Sequence, residues 1–267
     1  MHSFIKTTIA STIALSAFAL PALADKKEPH SDVWLRIVDG AIVTGSITEG
    51  TPGDPIAENE RVFATDMGEE PDFPFSAFEP GWQSLPGRDT AGAIFSFSIP
   101  GPLMAWDGAG LIPSDHSMTI DFGPESVIVG AGPVSGFEWS TQPSGLMHLH
   151  FDFTLAGPLG DPSNGVYVLP IQFAGATPVY APSETAWIVF NLGEDEEVHD
   201  AVIEYTERFL ACSVDISGDG TVDASDLGVL LGSWGAAGGA SDLNEDGLVD
   251  ASDLAELLGA WGWTCPN

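Results

Sequence analysis

The sequence predicts a mainly β protein: an N-terminal sandwich or jelly-roll-like region ending in one helix, then a small all-α tail of two loop-helix repeats. Three observations predict it. Short apolar runs bounded by Gly, Pro, Asp or Ser follow one another from Asp32 to about Thr185. The 31 glycines and 20 prolines supply the turns that such strands need. The segment "DISGDGTVDASDLGVLLGSWG", from Asp215, returns as "DLNEDGLVDASDLAELLGAWG", from Asp242. A chain of 267 residues suits one medium and one small domain, and the expected division is 1–24, 25–210 and 212–267.

The first stretch, "MHSFIKTTIASTIALSAFALPALADKK", reads as a secretion signal. Lys6 gives the positive start, Ile9 to Leu20 a short apolar run, and Ala22-Leu23-Ala24 a small-x-small cleavage site. The run is too short to span a bilayer, which takes about 20 residues. The expectation is an exported chain, secreted or at the cell surface, that begins near Asp25.

The β elements follow in order. "DVWLRIVDGAIVTG" is two strands around an Asp39-Gly40 hairpin turn. Residues 50–90 are rich in Pro and acid and read as long loops. "AGAIFSFSIPG", "SMTIDFG", "SVIVGAG", "GVYVLPIQFAG" and "AWIVFNLG" are further strands. "HLHFDFTL" alternates strictly, with His148, His150, Asp152 and Thr154 on one face and Leu149, Phe151, Phe153 and Leu155 on the other. In "EDEEVHDAVIEYTERFL", Val198, Val202, Tyr205 and Phe209 recur at helical spacing, which predicts a helix packed on the sheet.

Charge narrows the function. Asp and Glu number 39 against 7 Lys and Arg, a net −32, which repels nucleic acid and anionic membranes. No nucleophile elbow, P-loop or dinucleotide fingerprint occurs, so the sequence offers no catalytic residue. His148 and His150 could begin a metal site, but no further ligands follow at a recognisable spacing, and they read as an exposed strand face. Trp82, Trp106 and Trp139 read as core or loop anchors rather than a sugar-binding platform.

In the tail the acids carry the information. Asp215, Ser217, Asp219, Asp223 and Asp226 fall at positions 1, 3, 5, 9 and 12 of a twelve-residue loop, and Asp242, Asn244, Asp246, Asp250 and Asp253 repeat the spacing. Gly220 and Gly247 stand at position 6, where the chain must turn sharply. Position 7, Thr221 or Leu248, would lend a backbone carbonyl. Calcium wants six to eight oxygens, and this pattern can supply them. Ser217 is a poorer ligand than Asn244, so the first of the two Ca2+ sites should be the weaker. Leu227, Leu230, Leu231 and Trp234 then form a helical stripe, repeated by Leu254, Leu257, Leu258 and Trp261, with Gly235 and Gly262 as terminators. These are half EF-hands, and each stripe should bury against the other.

Cys212 and Cys265 bracket the repeats. In an exported chain a disulfide clasp is expected, with free or metal-bound thiols as the alternative.

The two repeats resemble dockerin repeats. With a Cys at each end, the tail is similar to the cysteine-flanked dockerin-like domain of exported planctomycete-type bacterial proteins. The resemblance covers Cys212 to Cys265 and implies a calcium-folded module that docks a cohesin-like or cell-surface protein. It implies partner contacts at Ala224 and Ser225 and at Ala251 and Ser252, identical in the two copies, which would permit two docking orientations. The expected whole is a non-catalytic β-rich cargo on a docking module. The alternatives are a polysaccharide-active or carbohydrate-binding cargo, and a structural envelope protein.

Overall fold

The computed structural model describes residues 31–48, 55–86, 90–177, 179–211, 214–244 and 247–262. The expected secretion signal, Cys212, Cys265 and Asp246 lie outside them. Sixteen strands and three helices occur among the described residues. One sheet has the order β13 (Met147–Leu149), β6 (Trp82–Ser84), β1 (Ser31–Val38), β2 (Ala41–Thr48) and β3 (Pro55–Glu58). A second has the order β11 (Glu125–Val129), β10 (Ser117–Phe122), β14 (Asp152–Ala156) and β5 (Ser76–Ala77). The third runs β12 (Val134–Ser140), β7 (Ile94–Ile99), β15 (Gly165–Thr177), β16 (Ala186–Leu192) and β4 (Val62–Asp66). On its flank, β8 (Met104–Trp106) pairs with β15 and with β9 (Leu111–Pro113).

The β-rich reading holds, and the hairpin turn lies where its residues predict it. Val38 pairs with Ala41, and Asp39 and Gly40 both take positive φ, 50° and 85°, as a tight hairpin of this twist requires. The sheets are mixed, however, not the purely antiparallel arrangement of a sandwich or jelly roll. β6 runs parallel to β1, and β4 parallel to β16. Four of the strands involved in the sheets, β3 to β6, lie in the stretch that composition marks as loop. They are two to five residues long and set among acids and prolines, too short to show a period.

The "HLHFDFTL" alternation also crosses a boundary. Its first part is β13 in one sheet and its second is β14 in another, with His150 and Phe151 between them. Apolar residues point to one core on both sides of the break, so the sequence pattern continues while the strand does not.

Trp82 lies at the centre of the main core. It is fully buried, with ring centroids of Phe151, Trp139, Phe173 and Phe97 at 3.8, 4.8, 5.1 and 5.3 Å. Trp139 is buried as well, and Trp106 packs edge-on against Tyr205 at 4.9 Å. These three are core and anchor residues, as read. Helix α1 (Glu196–Ala211) lays Val198 and Val202 on Val166, Val168 and Val189 of β15 and β16. Glu196 and Glu197 in its first turn complement the positive end of the helix dipole.

The tail holds α2 (Ala224–Gly232) and α3 (Ala251–Gly259). Both begin with the same device. Asp223 and Asp250 accept from the backbone N–H of Ser225 and Ser252, while Asp226 and Asp253 reach back to the N–H of Asp223 and Asp250. Val214, Val222, Leu230, Val249, Leu257 and Ala260 make the small core. The stripes are covered only in part. Leu230 and Leu257 are fully buried, but Leu231, Trp234, Leu258 and Trp261 are 53%, 48%, 52% and 43% exposed. Each nine-residue helix turns one leucine of its stripe fully into the small core, and Trp234 and Trp261 lie beyond the helix ends.

Candidate metal centres

The β region contains one of two clusters whose side chains could hold a metal ion. Three adjacent strands build it. In β1 the pleat sends Val33 and Leu35 into the main core and Asp32 to the opposite face. In β6 Trp82 goes inward and Gln83 outward, and β13 brings His148 directly across from Gln83. His150 follows at the break before β14.

The atoms converge. His148 Nε2 lies 3.1 Å from Asp32 Oδ2 and 2.8 Å from His150 Nε2. The other ring nitrogen of His150, Nδ1, lies 3.1 Å from Glu79 Oε1 and 3.1 Å from the Phe78 carbonyl. Asp32 is fully buried; its Oδ1 accepts from the Gly81 N–H at 2.8 Å and its Oδ2 from Gln83 Nε2. Glu79 Oε2 shares the Gly81 N–H at 2.9 Å. Gly81 must be a glycine: a Cβ there would stand 2.7 Å from Asp32 Oδ1 and 2.9 Å from His150 Cε1.

The groups polarise one another. Glu79 beside it holds the His150 imidazole up to about 9, against burial, with the Phe78 carbonyl and Asp32 adding to the rise. Burial pushes the Asp32 carboxyl above the usual carboxylate range, opposed by the Gln83 hydrogen bond. Burial also pushes Glu79 up, but His150 and the Gly81 N–H outweigh it and leave Glu79 below its ordinary value.

A second cluster brings Asp66 at the end of β4 to Glu196 and His199 in the first turn of α1. His199 is buried. Its Nδ1 has no hydrogen-bond partner and stands 3.9 Å from Asp66 Oδ1, while its Nε2 faces the Val189 carbonyl at 3.4 Å. Both clusters give the protein a capacity to chelate a metal ion.

The tail loops are organised differently. Asp215 Oδ1 accepts from Ser217 Oγ and from the N–H of Gly218 and Asp219, and its Oδ2 from Gly220. Asp219 Oδ1 accepts from the N–H of Thr221. Asp226 and Asp253 are fully buried, and each spends both carboxylate oxygens on backbone N–H groups, including those of Ser217 and Leu243. In the second loop Asp242 Oδ2 accepts from Gly247, while Asp242 Oδ1 is buried with no partner. Asn244 and Asp250 lie at intermediate exposure and Leu248 is exposed. Gly220 and Gly247 take the left-handed φ of a position-6 glycine, 88° and 92°. Ala224, Ser225, Ala251 and Ser252 are all exposed at the helix starts.

Two expectations are corrected. The described residues contain no disulfide, and Cys212 and Cys265 lie outside them, so the clasp is not carried forward. The groups that meet metal-site geometry carry histidine, which is foreign to an EF-hand loop, and among the described residues they sit in the β region and not in the tail. Side-chain geometry therefore does not support the EF-hand and dockerin labels. The reason is visible in the loops: their carboxylates are turned onto backbone N–H groups rather than toward one another.

The sequence suggests an exposed strand face for His148 and His150, which the structure corrects by drawing both half-buried side chains into the cluster, and it gives no sign of Asp32, Glu79, Gly81 and Gln83 as their neighbours. The one local signal is a buried strand that opens on a charged residue, Asp32. Among the described residues no helix is long and apolar enough to cross a membrane. Compared with family models, curated proteins and solved structures, the chain matches none.

Proposed function

We propose that the chain is an exported protein whose tail binds two calcium ions and docks a cohesin-type or other cell-surface partner, so anchoring a non-catalytic β-rich region. The observation that carries this reading is the reciprocal stitching of the repeats. Gly235 donates to the Val249 carbonyl, and Gly262 donates to that of Val222, both at 2.8 Å. Position 8 of each loop is thereby tied to the end of the other repeat's helix. The arrangement holds two acidic loops side by side, and like charges so placed favour an arriving cation.

Two further features fit. The bare, buried Asp242 Oδ1 is an oxygen in want of a positive partner, and it lies in the loop expected to bind more tightly. The half-exposed Leu231 and Trp234, repeated by Leu258 and Trp261, leave two alike apolar faces, and Ala224, Ser225, Ala251 and Ser252 are exposed at the helix starts.

Calorimetric titration of the mature chain with calcium tests the first half. Heat of binding is expected in the native chain and not in the Asp215→Ala, Asp242→Ala double variant; equal heats in the two would refute calcium binding by these loops. Capture from envelope and secreted extracts, with calcium and with chelator, tests the second. A partner retained only with calcium supports docking, and retention indifferent to calcium overturns it.

A further inference from the structure

We propose that His148 Nε2, His150 Nε2 and Asp32 Oδ2 form a binding site for a single divalent transition-metal ion of the zinc class, with solvent in the remaining coordination position. This site is separate from the tail loops and does not depend on how they are read.

Geometry is the first argument. The three donor atoms come from two distant parts of the chain, Asp32 and the His148–His150 stretch; two of their separations are 2.8 and 3.1 Å, and all lie within 4.8 Å of one another. Bonds of about 2.0–2.1 Å in a tetrahedral site space neighbouring donors about 3.3 Å apart, so opening the cluster by a few tenths of an ångström would seat the ion.

The orientation of His150 is the second. Its Nδ1 side is engaged by Glu79 Oε1 and the Phe78 carbonyl, both acceptors, so that a neutral ring keeps its hydrogen on Nδ1 and presents Nε2 toward His148 as the donor to an ion. A carboxylate behind a ligating imidazole sets the tautomer and raises its basicity in the same way in metal sites generally. Asp32 is held as firmly, by the Gly81 N–H and Gln83 Nε2.

Charge is the third. A fully buried Asp32 carboxylate and a largely buried Glu79 occupy one face with two imidazoles. A dication would balance the two carboxylates with both imidazoles neutral. In its absence the charged His150 imidazole beside Glu79 takes part of that role.

The donor set selects the ion. Two imidazole nitrogens and one carboxylate oxygen suit zinc and its first-row neighbours, whereas calcium takes six to eight oxygens. Access comes from the imidazole side, where the His148 and His150 side chains are 22% and 35% exposed while Asp32 is closed at 0%. Three protein donors with one side open leave room for water, the arrangement of an exchangeable rather than a sealed site.

Cobalt(II), a spectroscopic stand-in for zinc, tests the proposal. The chelator-stripped mature chain is titrated with Co2+ in excess calcium, so that carboxylate-only sites are already filled. One equivalent with visible absorption bands, displaced by Zn2+ and retained in a His199→Gln variant that disables the second cluster, is expected. Affinity should fall more than about tenfold in His148→Gln and in His150→Gln and stay unchanged in the Asp215→Ala, Asp242→Ala double variant. Absence of stoichiometric binding, or binding that survives both histidine variants, overturns the proposal. Should the variants fail to fold, imidazole NMR of the unaltered chain decides: Zn2+ must shift the His148 and His150 signals, and unshifted signals refute the site.

Discussion

The backbone N–H of Gly235 donates to the carbonyl of Val249 at 2.8 Å, and this bond joins the end of one tail repeat to the loop of the other. Gly235 makes it with φ at 79°, in the left-handed region. A side chain there meets nothing in space, but the conformation itself costs an L-residue about 1–2 kcal/mol. Gly235→Ala should therefore lower the tail's stability by about that amount, read by denaturant unfolding followed through the NMR signals of the tail's backbone amides. Unchanged stability would mean that the turn relaxes.

Trp82 touches four aromatic rings at the centre of the main core. Trp82→Ala should cost about 3–5 kcal/mol through lost burial and the cavity left behind. A urea midpoint close to that of the native chain would show that the core collapses around the gap.

Asp121 and Asp152 are directly paired across β10 and β14. Burial, and then the Asp121 charge, push the Asp152 carboxyl above its usual value. A raised carboxyl adds stability that is full below its unfolded value and is lost as pH rises through the folded one. Asp121→Asn should thus stabilise the protein at neutral pH by a few tenths of a kcal/mol, small because the pair is solvated. The gain should vanish in acid, where Asp152 is protonated. A gain in thermal midpoint that persists in acid would point to a cause other than charge.

Gly81 touches no proposed metal donor through a side chain, yet a methyl group there would collide with Asp32 and His150. Gly81→Ala should weaken Co2+ binding by about 10–100-fold, as loss of a supporting contact does in metal sites. Binding as tight as in the native chain would show that the donors are held independently of this residue.

Much of the fold was legible where local chemistry determines it. Asp39-Gly40 dictates its turn, Val198 and Val202 mark the buried side of α1, and the paired glycines and aspartates give the tail its loops and caps. The break between His148 and Asp152 was not legible, because both halves face one core and the alternation runs through it. Nor was the cluster around Asp32. Its residues meet through the parallel pairing of β1 with β6, and no local period records which distant strands run side by side. The half-open stripes were misread for a related reason: Leu231 and Leu230 are alike in the sequence, and only the helix packing distinguishes them.

The donors of the β-region cluster are drawn from both ends of a segment running from residue 32 to residue 150. An unfolded chain cannot present them together, so the cluster exists only once that whole segment has closed. Any ion held there is a ligand of the folded state alone. At a free concentration 100 times its dissociation constant it would add about 2.7 kcal/mol to folding by mass action. Metal supply would then set part of the folded protein's margin against unfolding.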